Sequence, residues 1–366
     1  MEKHPFKEGN KDDELKKVTT SGKLLFHHFG DRQIPQCLTR VPLPTEPLIG
    51  REEKLRELHE KVQQHRIVSV VSGIEGVGKT SLFAQYVQES LTQWRHILWL
   101  DLTDSFSWAL QTNTSLAPSL GVQLKGKAAS DVQEIVKALA ALEGPCLLVV
   151  DQADDELVPY LEHLPEENWK VLIMTWRPLE GIAACHLDLL PEKTAVALFQ
   201  AHYSLDVNVE LIQKIVLWAQ GHPMTIQWLA KTAQHLVFED SVPLIKVLAK
   251  KGLKMEKAVD LSKVDHYQER ALDQLLPYLE AIYSLLDFTA IETRLLKYFL
   301  VLPVEIHDWP FLERALDLQE DKDIKAYQEG LQNLVQMGLV KAYQTGYQVH
   351  SMIQQVLELQ LTVNWS

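Results

Sequence analysis

The chain has 366 residues, 46% of them hydrophobic and 23% charged, the composition of a soluble globular protein long enough for two or three domains. Its formal net charge of −13 argues against broad attachment to nucleic acid or to an anionic membrane surface. Three well-separated cysteines (Cys37, Cys146, Cys185), with no CxxC and no HExxH, argue against a disulfide framework or structural zinc and point to a reducing, cytoplasmic setting.

In chain order, the N-terminus MEKHPFKEGNKDDELKK lacks an apolar core for export, and no run of 18 apolar residues follows, so no membrane span is expected. Residues 1–45 turn proline-rich at Ile34-Pro35 and Val41-Pro42-Leu43-Pro44, which excludes a helix and predicts an extended leader. Leu55, Leu58 and Val62 recur at helical spacing, and Arg66 to Val71 reads as a buried strand. A glycine-rich turn and a helix over 81–91 come next. Strands are predicted at 97–102, 146–150 and 170–174, with a helix over 131–142 between the first two. Apolar runs alternating with helical patterns predict a parallel α/β sheet. From about Leu190 the periodicity is helical to about Leu302. Ile324, Tyr327, Leu331 and Leu334 then form another helical stripe, and two short strand patterns flank Gln344-Thr345-Gly346 as a hairpin. Helices ending in such a hairpin suggest a winged helix.

Chemistry concentrates first in Gly73-Ile74-Glu75-Gly76-Val77-Gly78-Lys79-Thr80, a GxxxxGK[ST] phosphate loop between a strand and a helix. Its glycines, with Val77 and Ser81 in the same turn, let backbone N–H groups curl around phosphates at a helix N-terminus. Lys79 is expected on the β and γ phosphates and Thr80 on Mg²⁺. Asp151 ends the apolar strand Leu147-Leu148-Val149-Val150 and is expected to hold Mg²⁺ through water. Asp154 and Asp155 either orient water or form a solvated turn. Arg177, beyond the strand ending at Met174, lies where a guanidinium would sense a γ-phosphate or form a surface ion pair.

Over residues 34–360 the chain resembles the NB-ARC members of the STAND class of P-loop ATPases, the switch modules of apoptosome scaffolds and plant immune receptors. The likeness is carried by Leu48-Ile49-Gly50-Arg51-Glu52 (similar to hhGRE), the phosphate loop, Asp151, Thr175-Trp176-Arg177 (a T-x-R sensor), Gly221-His222-Pro223-Met224 (similar to GLPL) and Val349-His350-Ser351 (similar to MHD). The resemblance implies that Ile49, Gly50 and Arg51 lie near adenine, that Pro223 packs on the base, and that His350 contacts the ADP β-phosphate. It implies a leader over 1–45, a P-loop nucleotide-binding domain over 46–186, a helical domain over 187–265 and a winged helix over 266–366. ATP or ADP with Mg²⁺ would be the ligand, with self-assembly or a protein partner. Two departures stand out: Gln152 replaces the family's second acid, which implies slow hydrolysis, and Ser351 replaces the Asp of MHD. Residues 291–366 hold ten acids against six bases, and Ile324 to Met337 offers only Lys325 to DNA, so nucleic acid is not the expected partner. A DNA-binding regulator and a turnover NTPase or kinase are the competing classes.

Overall fold

The computed structural model describes residues 35–72, 74–102, 105–151, 153, 157–204, 209–235, 279–280, 282–284 and 286–362. The expected features at Gly73, Gln152, Asp154 and Asp155 lie outside the described residues, as do most of the leader and residues 236–278.

A six-stranded, all-parallel sheet forms the first half: β1 Gln36–Cys37, β2 Ile67–Val71, β3 His96–Asp101, β4 Cys146–Asp151, β5 Trp169–Thr175 and β6 Ala183–His186, in the order β1-β3-β4-β5-β2-β6. Side chains alternate between two apolar layers, as the two-residue period of a strand requires. Leu147, Val149, Leu172 and Met174 enter one layer with α1 (Glu52–Gln64) and α2 (Lys79–Ser90). Cys146, Leu148, Val150, Val171 and Ile173 enter the other with α3 (Phe106–Thr112), α4 (Leu116–Ser119), α5 (Ala128–Ala140) and α6 (Val158–Leu161). Burial on both faces explains why these strands read as unbroken apolar runs.

Two strands were not predicted. The end of the expected leader supplies β1 as an edge strand, and its Leu38, Val41 and Leu43 are buried. Thr39 Oγ1 donates to the Trp99 carbonyl at 2.7 Å and accepts from the Trp99 N–H at 2.8 Å, fixing this stretch beside β3. The other is β6, which pairs with β2.

Beyond the sheet lie α7 (Glu192–His202), α8 (Val209–Trp218), α9 (Pro223–His235), α10 (Ala290–Val301), α11 (Trp309–Ala315) and α12 (Asp321–Gln336). An antiparallel hairpin follows, β7 (Lys341–Tyr343) with β8 (Gly346–Gln348), and then α13 (Ser351–Thr362). The start of α10 is a capping box: Thr289 Oγ1 accepts from the Glu292 N–H, and Glu292 Oε2 accepts from the Thr289 N–H. Helices α7–α9 share one continuous apolar core with α10, α12 and α13, from Leu190 to Leu361. The two stretches expected as a helical domain and a winged helix are therefore joined by apolar packing. No helix among the described residues is long and apolar enough to cross a membrane.

Candidate functional site

β2 runs directly into the loop at 74–78, and α2 starts at Lys79. Gly76 and Gly78 have φ of +73° and +102°, a region that side chains with a Cβ adopt only with strain. At Gly76 a Cβ would also stand 2.9 Å from His222 Cε1, so the loop and the segment before α9 approach as closely as glycine permits. At Gly78 a Cβ would meet nothing within 4 Å, which leaves open space in front of the loop.

Lys79 Nζ donates to the carbonyl oxygens of Ser72 (3.1 Å) and Ile74 (3.2 Å), so the ammonium lies along the loop. Burial lowers it below the usual lysine range, while Asp151 and Glu75 pull it back up. Thr80 Oγ1 donates to Asp151 Oδ2 at 2.9 Å, joining two residues 71 positions apart. The strand order produces this meeting: β4 and β2 flank β5, and their C-terminal ends open on the same edge. The donor set of backbone N–H groups, ammonium and a hydroxyl beside a carboxylate fits a polyphosphate carrying Mg²⁺. Among the described residues no cluster of three or more His, Cys, Asp or Glu side chains gathers as a separate metal centre.

Four further residues enter the site that the sequence reading gave no such role. Asp101, at the end of β3, pairs in register with Asp151. Loss of hydration around it, then the Asp151 charge and more weakly the Glu305 charge, push its carboxyl up to about 7, opposed by a 3.3 Å hydrogen bond from Trp99 Nε1. Glu75, inside the loop, is held by two distant elements. Its carbonyl accepts from His222 Nε2 at 2.8 Å, and its carboxylate accepts from Ser351 Oγ. His222 is fully buried; its Nδ1 accepts from the Thr225 N–H at 3.3 Å, so the proton of the neutral ring is on Nε2. Burial takes its pKa down to about 4, with His350 and Lys79 pressing the same way and the Glu75 carbonyl opposing. Finally, Lys341 on β7 donates to Ser81 Oγ at 2.9 Å.

His350 lies just before α13, two residues past β8. Its Nδ1 accepts from the Met352 N–H at 3.2 Å, which leaves the Nε2 proton for another partner. Burial, with Lys341 and Lys79 nearby, lowers its pKa and keeps the ring neutral, while Glu75 opposes.

The remaining expected residues are more dispersed. Arg51 is buried and its Nη2 donates to the carbonyls of Val77 (3.1 Å) and Asp188 (2.6 Å), bracing the loop from behind. Burial brings its guanidinium down to about 10, with Asp188 opposing. Ile49 packs against the helical core, and the Gly50 N–H donates to Glu52 Oε1. Pro223 opens α9 next to His222, and Val77 is fully buried. Arg177 is exposed beyond β5, its guanidinium carbon 5.1 Å from the centre of the Trp176 ring.

No protein-family model matches the sequence, and no curated protein matches it by sequence. Among solved structures, the chain is similar to a signal transduction ATPase with numerous domains and a tetratricopeptide-repeat sensor from Pyrococcus horikoshii. The identity is 18% and the TM-score 0.54, over 87% of this chain and 43% of that one, so this chain spans less than half of that protein. It also matches a Walker-type ATPase of Pyrococcus abyssi at 16% identity and a TM-score of 0.41, over 87% and 98% of the two chains, too loosely to carry an argument. The fold is the α/β fold of the P-loop NTPases, with helical segments following the sheet.

Proposed function

We propose that the protein is a nucleotide-driven conformational switch of the STAND type, closed with ADP and opened by exchange for ATP. The observation that carries this reading is Glu75. One residue inside the phosphate loop is bound both by His222 before α9 and by Ser351 at the start of α13. A phosphate group at the loop would thereby be felt at once by the helical and the C-terminal elements. In this reading residues 46–186 bind nucleotide, 187–265 form a helical domain, and 266–366 form a winged helix.

Backbone N–H groups of the loop, Lys79 and Ser81 would cradle the phosphates, and Thr80 and Asp151 would hold Mg²⁺. Mg²⁺ supplies charge neutralisation between phosphate oxygens. Ile49, Gly50, Arg51 and Pro223 would border the base, Arg177 would sense the γ-phosphate, and His350 would donate its Nε2–H to the ADP β-phosphate. Equal affinity for the two nucleotides in both forms would shift nothing, so the switch requires that ADP favour the docked hairpin by several kcal/mol over ATP. The test is chromatography of nucleotide released from purified protein. ADP in near-stoichiometric amount is expected, and protein free of nucleotide that binds neither ADP nor ATP would remove the reading.

A turnover NTPase is favoured by one observation, a second carboxylate, Asp101, in register with Asp151 at the ends of adjacent strands. Such a carboxyl is suited to accept a proton from water. Steady-state hydrolysis by wild type and Asp101→Asn separates the readings. Turnover well below about 1 per second agrees with a switch, and faster turnover abolished by the substitution agrees with an enzyme.

A further inference from the structure

Lys341 belongs to β7, 260 positions along the chain from Ser81, yet its ammonium donates to the Ser81 hydroxyl in the first turn of α2. The hairpin is held there by several bonds. The Gln344 N–H donates to the Leu43 carbonyl at 3.2 Å, Thr45 Oγ1 donates to the Ala342 carbonyl at 3.0 Å, and Pro44 bridges to Tyr343. The Tyr343 ring centre lies 5.1 Å from Lys341 Nζ.

We propose that Lys341 is a polyphosphate-binding residue that the C-terminal hairpin lends to the nucleotide site, so that hairpin docking and nucleotide binding reinforce each other. The inference rests on the reading of residues 74–80 as a phosphate loop.

A lysine ammonium offers three N–H donors and accepts nothing. Among the described residues its hydrogen-bond acceptor is one neutral hydroxyl. Glu46, the carboxylate whose charge acts on Lys341, already accepts from Gln227 Nε2 at 3.1 Å on one oxygen and from Lys231 Nζ at 2.9 Å on the other. Donor capacity is therefore left over at the mouth of the loop. Basic groups also converge there. Lys79 from the loop and Lys341 from the hairpin both act on the His350 ring. A polyphosphate seated on the loop would meet both ammonium groups. A compact ammonium on a flexible stem suits the terminal phosphate oxygens of ADP.

The competing account is that Lys341 merely docks the hairpin. Lys341→Met keeps an unbranched side chain of similar length and removes the charge; Lys341→Arg keeps the charge. ADP affinity of wild type, both variants and Lys79→Ala is measured by titration at several salt concentrations. Lys341→Met is expected to bind ADP about tenfold or more weakly and with a shallower salt dependence, while Lys341→Arg stays within about threefold of wild type. The proposal is overturned if Lys341→Met binds as wild type does, or if both variants weaken equally with unchanged salt dependence. If wild type itself binds no better than Lys79→Ala, the phosphate-loop reading falls and takes this inference with it.

Discussion

Lys79 and His222 show how single side chains set the behaviour of the site. Lys79 supplies the full positive charge within the loop, and its bonds to Ser72 and Ile74 hold that charge against the backbone. Lys79→Ala is expected to abolish nucleotide binding while leaving the far-ultraviolet circular dichroism unchanged. Binding within a few-fold of wild type would mean the site is elsewhere. His222 is buried in the neutral form with a pKa near 4. An exposed imidazole titrates near 6.5. As pH falls from about 6.5 to 4, the unfolded chain gains a proton that the folded chain does not, so stability declines across that window. The full loss is on the order of 3 kcal/mol. Urea midpoints at several pH values check this, and His222→Gln should flatten the decline. That Thr80 and Asp151 meet was legible because the loop pattern and the strand end place each of them at the same edge of the sheet. Glu75 was not, since it occupies an unspecified position of the motif, and its role depends on partners 147 and 276 residues away.

At the scale of elements, the hairpin and the start of α13 would form the movable half of the site in the proposed switch. His350 is placed there by the turn from β8 into α13, with its Nδ1 already used by Met352. If its Nε2–H is the contact to the β-phosphate, His350→Ala should weaken ADP binding by roughly 10- to 100-fold, the equivalent of about 1.5–3 kcal/mol. ATP affinity should hardly change, because Lys79 and the loop are untouched. Protease cleavage around the hairpin should rise in the ADP-bound variant; equal ADP retention with equal cleavage would remove His350 from the account. The strands around the motifs were readable from apolar runs, and the stripe Tyr327, Leu331, Leu334 is the buried face of α12. β1 and β6 were hidden for physical reasons. Gln36–Cys37 is only two residues long beside prolines, and Ala183-Ala184-Cys185-His186 has small side chains with no periodic signature. Both gain their pairing from neighbours already in the sheet.

Over the whole molecule, the two kinds of boundary differ in chemistry. Helices α7–α9 and α10–α13 are sealed by a common apolar core, which resists separation. The hairpin and α13 meet the sheet unit through polar contacts, Lys341 with Ser81 and Ser351 with Glu75, and Asp308 at the start of α11 adds an ion pair with Arg40 at 2.8 Å. Exposed ion pairs and single hydrogen bonds contribute little each, and their groups are readily rehydrated. Opening is therefore expected at the polar boundary, with α7–α13 moving as one body. Contacts between helices so far apart in the chain leave no periodic signature in the sequence, so this shared core was not readable there. The most direct test is small-angle scattering of the wild-type protein saturated with ADP–Mg²⁺ and then with a non-hydrolysable ATP analogue and Mg²⁺. The account predicts a compact particle with ADP and a larger radius of gyration, or a higher mass through assembly, with the analogue. The same radius and the same mass in both, with each nucleotide demonstrably bound, would contradict it.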